Sequence, residues 1–520
     1  MGNINRRMFI RNFGFGAVAA GTMGALDVFG QTAEPNESGR KLVCRKPNII
    51  VILADDLGWG DLSCYPQDPN VPKARIRTPN LDSLAAEGVR FTQGYATGMV
   101  CSPSRAGLLT GRYQQRFGYY EFKETLAGIP PKEIMLQEFL KKQGYATACI
   151  GKWHVGHKPE LGPLTRGFDR FYGFLGGQHD YYDPNLGDPT MAFSFDRDAY
   201  ILDQDKPVKE IEYLTDELTR QSIKFIDQQA AADKPFFLYL PYSAPHPPMQ
   251  STWDKLEPYA AEKGGKFDSR DLARAMINSM DDGIGKILDR LMHLGIDRNT
   301  LIIFTSDNGG ADDGDGSPAH LVQHNAGLRG RKGFYWEGGI RVPFIIRWPE
   351  RVSEGIVYTQ PVSQLDIFAT CAAAVGAAMP KTLDGVDLVP YLMETPQDAP
   401  HAVMYWGLDE EFDQWAVRKG KWKLTRTYRD PQTTYDKTLV KVTELHDIEA
   451  DMYERQNLSA EHPGIVKELL KLKEDFYKSC APTIFTPEMR KAWEEETARR
   501  KQKLPNPDSL RRDGAPGHGL

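Results

Sequence analysis

Four short stretches of this chain carry residue types that hydrolytic sites use. Asp55-Asp56 follows the apolar run 47–54, and Gly151-Lys152-Trp153-His154 follows the run 145–150. Ala244-Pro245-His246-Pro247 comes after 235–240, and Ser306-Asp307-Asn308-Gly309 after 300–305. Asp55, Asp56, Asp307 and Asn308 offer oxygen atoms alone, a donor set suited to a hard cation such as Ca2+ or Mg2+. Bulky oxygen ligands drawn from two loops favour the larger, more tolerant Ca2+. Taken singly, each residue has a plainer role, since an aspartate often caps a turn or helix.

A fifth stretch, Cys101-Ser102-Pro103-Ser104-Arg105, opens a helical pattern. Ser102 is expected as its N-cap and Pro103 at the first helical position. Cys101 then faces a helix N-terminus, whose amides and dipole favour an anion. Arg105 lies one turn on and shares that face. The thiol reads as core filler, a disulfide half, a nucleophile or the precursor of another group. Six cysteines, at 44, 64, 101, 149, 371 and 480, form no CxxC pair and no zinc spacing. Cys149 and Cys371 lie in apolar runs and are expected to pack as small hydrophobes. A thiolate is a soft ligand beside a hard cation, so an oxygen species fits position 101 better.

The elements that must position these groups are legible in outline. The four apolar runs read as buried strands. Helical patterns span 78–87, 135–143 and 272–292, the first with Thr78 as N-cap and Pro79 at the first helical position. Continuous apolar strands alternating with helices predict an α/β fold with a large, mostly parallel sheet sandwiched by helices. The carboxyl ends of such strands share one edge, and ligands bind there. Residues 172–209 read as a long loop insertion. Short antiparallel strands at 415–418 and 422–424 and a helix over 465–477 predict a smaller C-terminal α+β subdomain. The expected boundaries are 46–390 for the main domain, 397–485 for the subdomain and 486–520 for a charged tail.

Composition narrows the function. The chain has 520 residues and a net charge of −6, with no basic block that would favour nucleic acid. Its central apolar runs are too short to span a bilayer. Asn5-Arg6-Arg7-Met8-Phe9-Ile10-Arg11 precedes a Gly/Ala-rich apolar stretch from Phe13 to Leu26. That pattern predicts a twin-arginine-type export signal over 1–33 and a periplasmic or extracellular protein.

Cys101-Ser102-Pro103-Ser104-Arg105 followed by Leu108-Leu109-Thr110-Gly111-Arg112 resembles the signature of the type I sulfatases. The likeness extends to Asp55-Asp56 with Gly58-Trp59-Gly60-Asp61, to Gly151-Lys152-Trp153-His154 and to Ser306-Asp307-Asn308-Gly309. It also takes in Leu328-Arg329-Gly330-Arg331-Lys332 and Trp336-Glu337-Gly338-Gly339-Ile340-Arg341-Val342-Pro343. The resemblance covers nearly all of 46–480 and implies an alkaline-phosphatase-like sheet.

It implies, further, that a dedicated maturation enzyme oxidises Cys101 to formylglycine, which is hydrated to a geminal diol. One hydroxyl attacks sulfur and takes the sulfate, and the other expels it as the aldehyde re-forms. The resemblance places Ca2+ among Asp55, Asp56, Asp307, Asn308 and the modified Cys101. It gives Arg105 the diol, Lys152 and Lys332 the sulfate, His154 the elimination step and His246 the leaving alcohol. Phe174 to Tyr182 resembles sulfatases acting on sugar sulfates, notably the N-acetylgalactosamine-6-sulfatase-like group. His179, Asp180, Asp312, Asp313, His320 and His324 are accordingly candidates for the sugar pocket. Trp406 and Trp415 are open to either a sugar contact or a core position. Two rival readings are a phosphate or phosphonate monoester hydrolase on the same scaffold and a secreted, non-catalytic carbohydrate-binding relative. A protein whose Cys101 stays unmodified would be inert. No sequence signal speaks to oligomeric state.

Overall fold

The computed structural model describes residues 46–66, 76–187, 200–311, 324–393, 399–408, 413–428 and 441–501. The export segment, Cys44, Asp312, Asp313, His320 and the end of the tail lie outside the described residues. Among the described residues no helix is long and apolar enough to cross a membrane.

The main sheet contains β1 (Asn48–Ala54), β2 (Val89–Tyr95), β3 (Ala146–Lys152), β4 (Arg170–Phe174), β5 (Leu202–Asp203) and β6 (Lys206–Pro207). It continues with β7 (Phe236–Pro241), β8 (Thr300–Ser306), β9 (Arg341–Arg347), β10 (Ile356–Tyr358) and β11 (Val362–Ser363). The spatial order is β10-β2-β9-β8-β1-β7-β3-β4-β5-β6, with β11 beside β2. The centre, β8-β1-β7-β3-β4, is parallel, while β9 runs antiparallel to β8 and β2. At the other edge β5 pairs antiparallel with β4 and β6, so the mostly parallel sheet is mixed at both sides. Residues 172–209, read as loop, begin inside β4 and hold the short β5 and β6.

Every residue of β1 is buried, as a strand covered on both faces must be. Alternation sorts its side chains. Ile49, Val51 and Leu53 point into one core with Leu108 and Leu109 of α2 (Cys101–Thr110, after α1 at Pro79–Ala86), Phe139 of α3 (Leu136–Lys142) and Cys149. Ile50 and Ile52 point into the other, with Leu218 of α4 (Leu214–Ala231). That second core also holds Met276, Met280 and Ile284 of α6 (Ser269–His293), which follows α5 (Trp253–Glu262). The first core takes Phe368 and Cys371 from α8 (Asp366–Ala374), beyond the single turn α7 (Glu337–Ile340). Cys149 and Cys371 thus pack as small hydrophobes, each fully buried.

After α9 (Val389–Met393) comes a four-stranded antiparallel sheet of β12 (Val403–Gly407), β13 (Trp415–Lys419), β14 (Trp422–Tyr428) and β15 (Lys441–Asp447). One face packs on α10 (Pro463–Tyr477) through Trp415, Val417, Leu424 and Leu469. The other presents Met404, Trp406 and Ala416 to Tyr95, Met99, Val100 and Ile340 of the main body. Trp406 and Trp415 are core residues, both nearly inaccessible. A last helix, α11, spans Pro487–Lys501.

Candidate active site

Strands β8, β1, β7 and β3 are neighbours in the sheet, and the four chemistry-bearing stretches leave from their carboxyl ends. Ala54 pairs with Ser306 in parallel register. Asp55-Asp56 and Asp307-Asn308 therefore emerge side by side, with the Asp307 amide donating to Ala54 O and the Asp55 amide to Ala244 O. Lys152 is the last residue of β3. Just before it, Gly151 (φ +134°) lies so near Pro241 O that a Cβ would stand 1.9 Å from it, so no larger residue fits.

Cys101 begins α2, two residues earlier than expected. Val100, extended at φ −143°, takes the cap position without a side-chain cap bond. Ser102 is consequently not the N-cap; it lies inside the first turn and its hydroxyl bonds Tyr119 OH at 2.6 Å. Arg105 is fully buried and donates from Nε and Nη2 to Asp307 Oδ2 at 2.9 and 2.7 Å. Its Nη1 donates to Lys152 O, and Nη2 stands 3.5 Å from Asp55 Oδ2. Lys152 Nζ donates to Asp55 Oδ2 at 2.5 Å, and Lys332 Nζ reaches the Asp56 carboxylate at 2.8 Å. His154 Nδ1 lies 3.3 Å from Cys101 Sγ, and His246 Nε2 lies 3.7 Å from Asp56 Oδ2. The residues singled out as metal-binding and catalytic thus converge on one buried locus.

Its charges are closely matched, Asp55, Asp56 and Asp307 standing against Arg105, Lys152 and Lys332. Burial pushes Asp56 upward, but the Lys332 ammonium outweighs it and holds the carboxyl well below its ordinary value. Burial and the neighbouring Asp55 raise Asp307. Burial, then Lys152 and Arg105, keeps His154 neutral. Burial and Lys332 depress His246 to about 3. A neutral His246 donates from Nδ1 to Pro247 O at 2.7 Å and leaves its Nε2 lone pair toward Asp56. Burial raises the Cys101 thiol, against the pull of Lys152 and Lys332, so the unmodified side chain is a poor nucleophile.

The donor set fits a divalent cation. Among the described residues Asp55 Oδ1 and Asn308 Oδ1 are buried without a hydrogen-bond partner, a costly arrangement that an ion relieves. Ligand atoms of Asp55, Cys101 and Asp307 lie within 4.8 Å of one another, as do those of Asp55, Asp56 and His246. Cys101 Sγ stands where the resemblance puts an oxygen of the hydrated aldehyde.

The sugar-pocket candidates are placed more diffusely. Asp180 Oδ1 accepts from the Tyr182 and Asp183 amides, and Oδ2 accepts from Gln250 Nε2. Buried His179 donates from Nδ1 to Asp180 O, with its ring against Phe174. Tyr181 OH donates to His246 O at 2.9 Å, which ties this segment to the His246 loop. The His324 amide donates to Asp61 Oδ2 and its Nδ1 accepts from the Ala326 amide. Motif reading passed over the residues that hold the strand ends. Ser306 Oγ accepts from the Leu57 amide, Gln364 Nε2 donates to Ser306 O, and Asn325 Oδ1 accepts from the Gly310 amide. Ser306, the last residue of β8, is read from sequence only as part of its motif, and Gln364 and Asn325 carry no distinguishing local signal.

Comparison with known proteins agrees with this geometry. Residues 47–377 match the model of the sulfatase family, and 330–479 that of the N-sulphoglucosamine sulphohydrolase C-terminal region. The chain is 36% identical over 367 residues to N-acetylgalactosamine-6-sulfatase of Rattus norvegicus, an alignment covering 67% of this chain and 66% of that protein. It thus spans about two thirds of the length of that relative. It is 31% identical over 508 residues to the sulfatase YdeN of Escherichia coli strain K12, covering 84% of this chain and 87% of that one. Among solved structures it is similar to Ps i-CgsB in complex with k-i-k-neocarrahexaose. That likeness has a TM-score of 0.74 and 30% identity, covering 88% of this chain and 100% of the other.

Proposed function

The chain belongs to the sulfatase family, and from that premise we propose that it hydrolyses a sulfate ester on a carbohydrate, using Cys101 in its formylglycine form and Ca2+. The observation that carries this reading is the pair of orphaned buried oxygens, Asp55 Oδ1 and Asn308 Oδ1, beside Cys101 and three basic side chains. Asp55, Asp56, Asp307 and Asn308 hold the ion. With residue 101 as a hydrated aldehyde, the site supplies a two-hydroxyl nucleophile and a Lewis acid for the sulfate oxygens.

The chain's own residues do the rest. Arg105, locked on Asp307, fixes the carboxylate that faces residue 101 and offsets its charge. Lys152 and Lys332 leave their aspartate partners for the oxygens of an incoming sulfate, stabilising charge as it moves off sulfur. His154, neutral and with Nδ1 toward residue 101, takes a proton there. His246 gives a proton from Nε2 to the departing alcohol. Burial and then Lys332 depress His246; the negative charge of the bound sulfate opposes both, and His246 takes up the Nε2 proton as the sulfate binds. The neocarrahexaose in complex with Ps i-CgsB and the N-acetylgalactosamine in the name of the rat relative support a sugar as that alcohol. His179, Asp180, Asp312, His320 and His324 remain the candidates for holding it. The segment 1–33 is proposed to send the protein out of the cytoplasm, with maturation of Cys101 completed beforehand.

The test is hydrolysis of paired aryl sulfate and aryl phosphate substrates by protein co-produced with a formylglycine-generating enzyme, followed by defined sulfated mono- and disaccharides. Intact mass of the peptide holding residue 101 accompanies each preparation. Turnover of sulfates that tracks the converted fraction supports the reading. Phosphate turnover that exceeds sulfate turnover, or activity independent of conversion, overturns it.

A further inference from the structure

A second cluster of buried charge lies away from the strand ends, where the four-stranded sheet meets the main body. Glu337, Lys423 and Glu454 have no exposed surface. Lys423 Nζ, on β14, donates to Glu337 Oε1 at 2.8 Å and stands 3.0 Å from Glu454 Oε1. Glu337 Oε2 accepts from Tyr95 OH at 2.7 Å and from Arg341 Nη1 at 3.2 Å. The Glu337 amide donates to Glu454 Oε2 at 2.7 Å. Glu454 holds the left-handed backbone region at φ +54°, unusual for its type. None of these groups touches the locus around Cys101, and the mechanism above uses none of them.

What they do touch is the loop that carries Lys332. Its far end is Glu337. Its near end is Arg329, whose Nη1 donates to Glu444 Oε2 of β15 at 2.6 Å and to Glu454 O at 3.0 Å. The two ends close on each other through the Gly338 amide and Arg329 O at 2.7 Å. Trp336 stacks on Phe334, and both pack with Tyr428 of β14. Between these anchors the Lys332 amide donates to Gly310 O, the Gly333 amide to Met99 O, and the Gly309 amide to Gly339 O. The loop thus spans the gap between the approach to Cys101 and the turn after Asn308. Its packing there is tight, since a Cβ on Gly309 would stand 1.9 Å from Gly338 O.

We propose that Lys423 and Glu454 are positioning residues: through Glu337 they set the backbone of 329–339 and so the reach of Lys332 into the sulfate site. This rests on the reading of Lys332 as a sulfate-binding group. Buried ion pairs add little net stability, and apolar side chains of similar volume would fill the same space. Charged contacts differ from apolar ones in having one register, and register is what a flexible lysine on a glycine-rich loop needs. The C-terminal sheet is thereby part of the site although it contributes no group to it.

The experiment is a double-mutant cycle on matured enzyme. K423M and E454Q are each combined with K332A, and aryl sulfate kcat/KM is read beside hydrogen exchange of peptides 328–336 and of β12 and β13. Each single change is expected to lower kcat/KM by about tenfold to a hundredfold and to speed exchange in 328–336 while β12 and β13 stay protected. In the K332A background the same change costs no more than about twofold. Equal factors in both backgrounds overturn the proposal, as does unaltered exchange in 328–336 or loosening of β12 and β13 to the same degree. If K423M does not fold, E454Q decides, since glutamine keeps the side-chain shape and the acceptor for the Glu337 amide. If the wild type cleaves no sulfate ester, the sulfate reading falls. The exchange comparison then decides by itself whether the sheet sets the loop.

Discussion

Two buried clusters of carboxylates and bases use their polar atoms differently. Around Cys101 the acids face bases but keep capacity in reserve: Asp55 Oδ1, Asn308 Oδ1 and His154 Nε2 have no hydrogen-bond partner among the described residues. At Glu337 it is spent, with one carboxylate oxygen on Lys423 and the other on Tyr95 and Arg341, while Glu454 Oε1 makes no hydrogen bond among the described residues and meets Lys423 as an ion pair at 3.0 Å. The first cluster lies where parallel strands end and loops turn away, so its polar atoms converge on a point the chain leaves to a ligand. The second lies where two sheets press together and the chain supplies both partners. Burial of charge therefore marks a site where unspent polar atoms from several loops gather around one point.

That contrast can be broken. The largest effect is expected from C101A, which should lower kcat/KM by about 10⁴-fold or more with an unchanged melting temperature. Wild-type turnover in C101A would remove the first cluster's claim to chemistry. Next comes E337L, which leaves Lys423 with Glu454 alone and takes the acceptor from Tyr95 OH and Arg341 Nη1; it should cost about 3–5 kcal/mol of stability by denaturant melt. Loss of activity without loss of stability would blur the division between the clusters.

A third measurement addresses the unspent oxygens. Protein stripped with a chelator should regain stability as Ca2+ is added, by about 3 kcal/mol at a hundred times the dissociation constant. D307N should lose that response and E454Q should keep it; thermal melts across a Ca2+ series read both. The smallest effect is expected at a pair outside both clusters, His401 Nε2 on Asp366 at 2.8 Å. Burial lowers the His401 value, but Asp366 outweighs it and the net shift is upward from 6.5. A raised folded value means the stabilisation is complete below 6.5 and fades as pH climbs through the raised value. H401N should therefore cost about 1 kcal/mol near pH 6 and nearly nothing at alkaline pH, read from unfolding at both. An equal cost at both pH values would assign His401 a packing role instead.

Much of the site was readable from the chain because its residues sit in short motifs directly after apolar runs. Asp55 and Asp307 needed no long-range information beyond the rule that parallel strands share an edge. Less was readable where partners are chosen across the fold. β9 contributes the segment 341–347 antiparallel to β8, yet its apolar alternation resembles that of a parallel strand. β15, with Lys441, Glu444 and Asp447 along it, carries too little apolar character to stand out. Ser102 was assigned a cap because of its type, but the helix starts at Cys101 and the hydroxyl finds Tyr119. The Trp406 indole donates to Ala96 O at 2.7 Å, a core contact that a tryptophan in a second domain does not announce.

The sequence by itself determined which atoms are available: hard oxygens after β1 and β8, a cysteine at a helix start, bases after β3 and β7 and in the loop after β8. It determined the strands that carry them, since apolar periodicity is a local property of the chain. Only the tertiary structure decided that β8, β1, β7 and β3 lie side by side and that Asp55 Oδ1 is left unpaired. It also decided that a lysine more than a hundred residues from β1 stands between two glutamates. Those outcomes depend on which distant surfaces bury one another, and no window along the chain contains both partners.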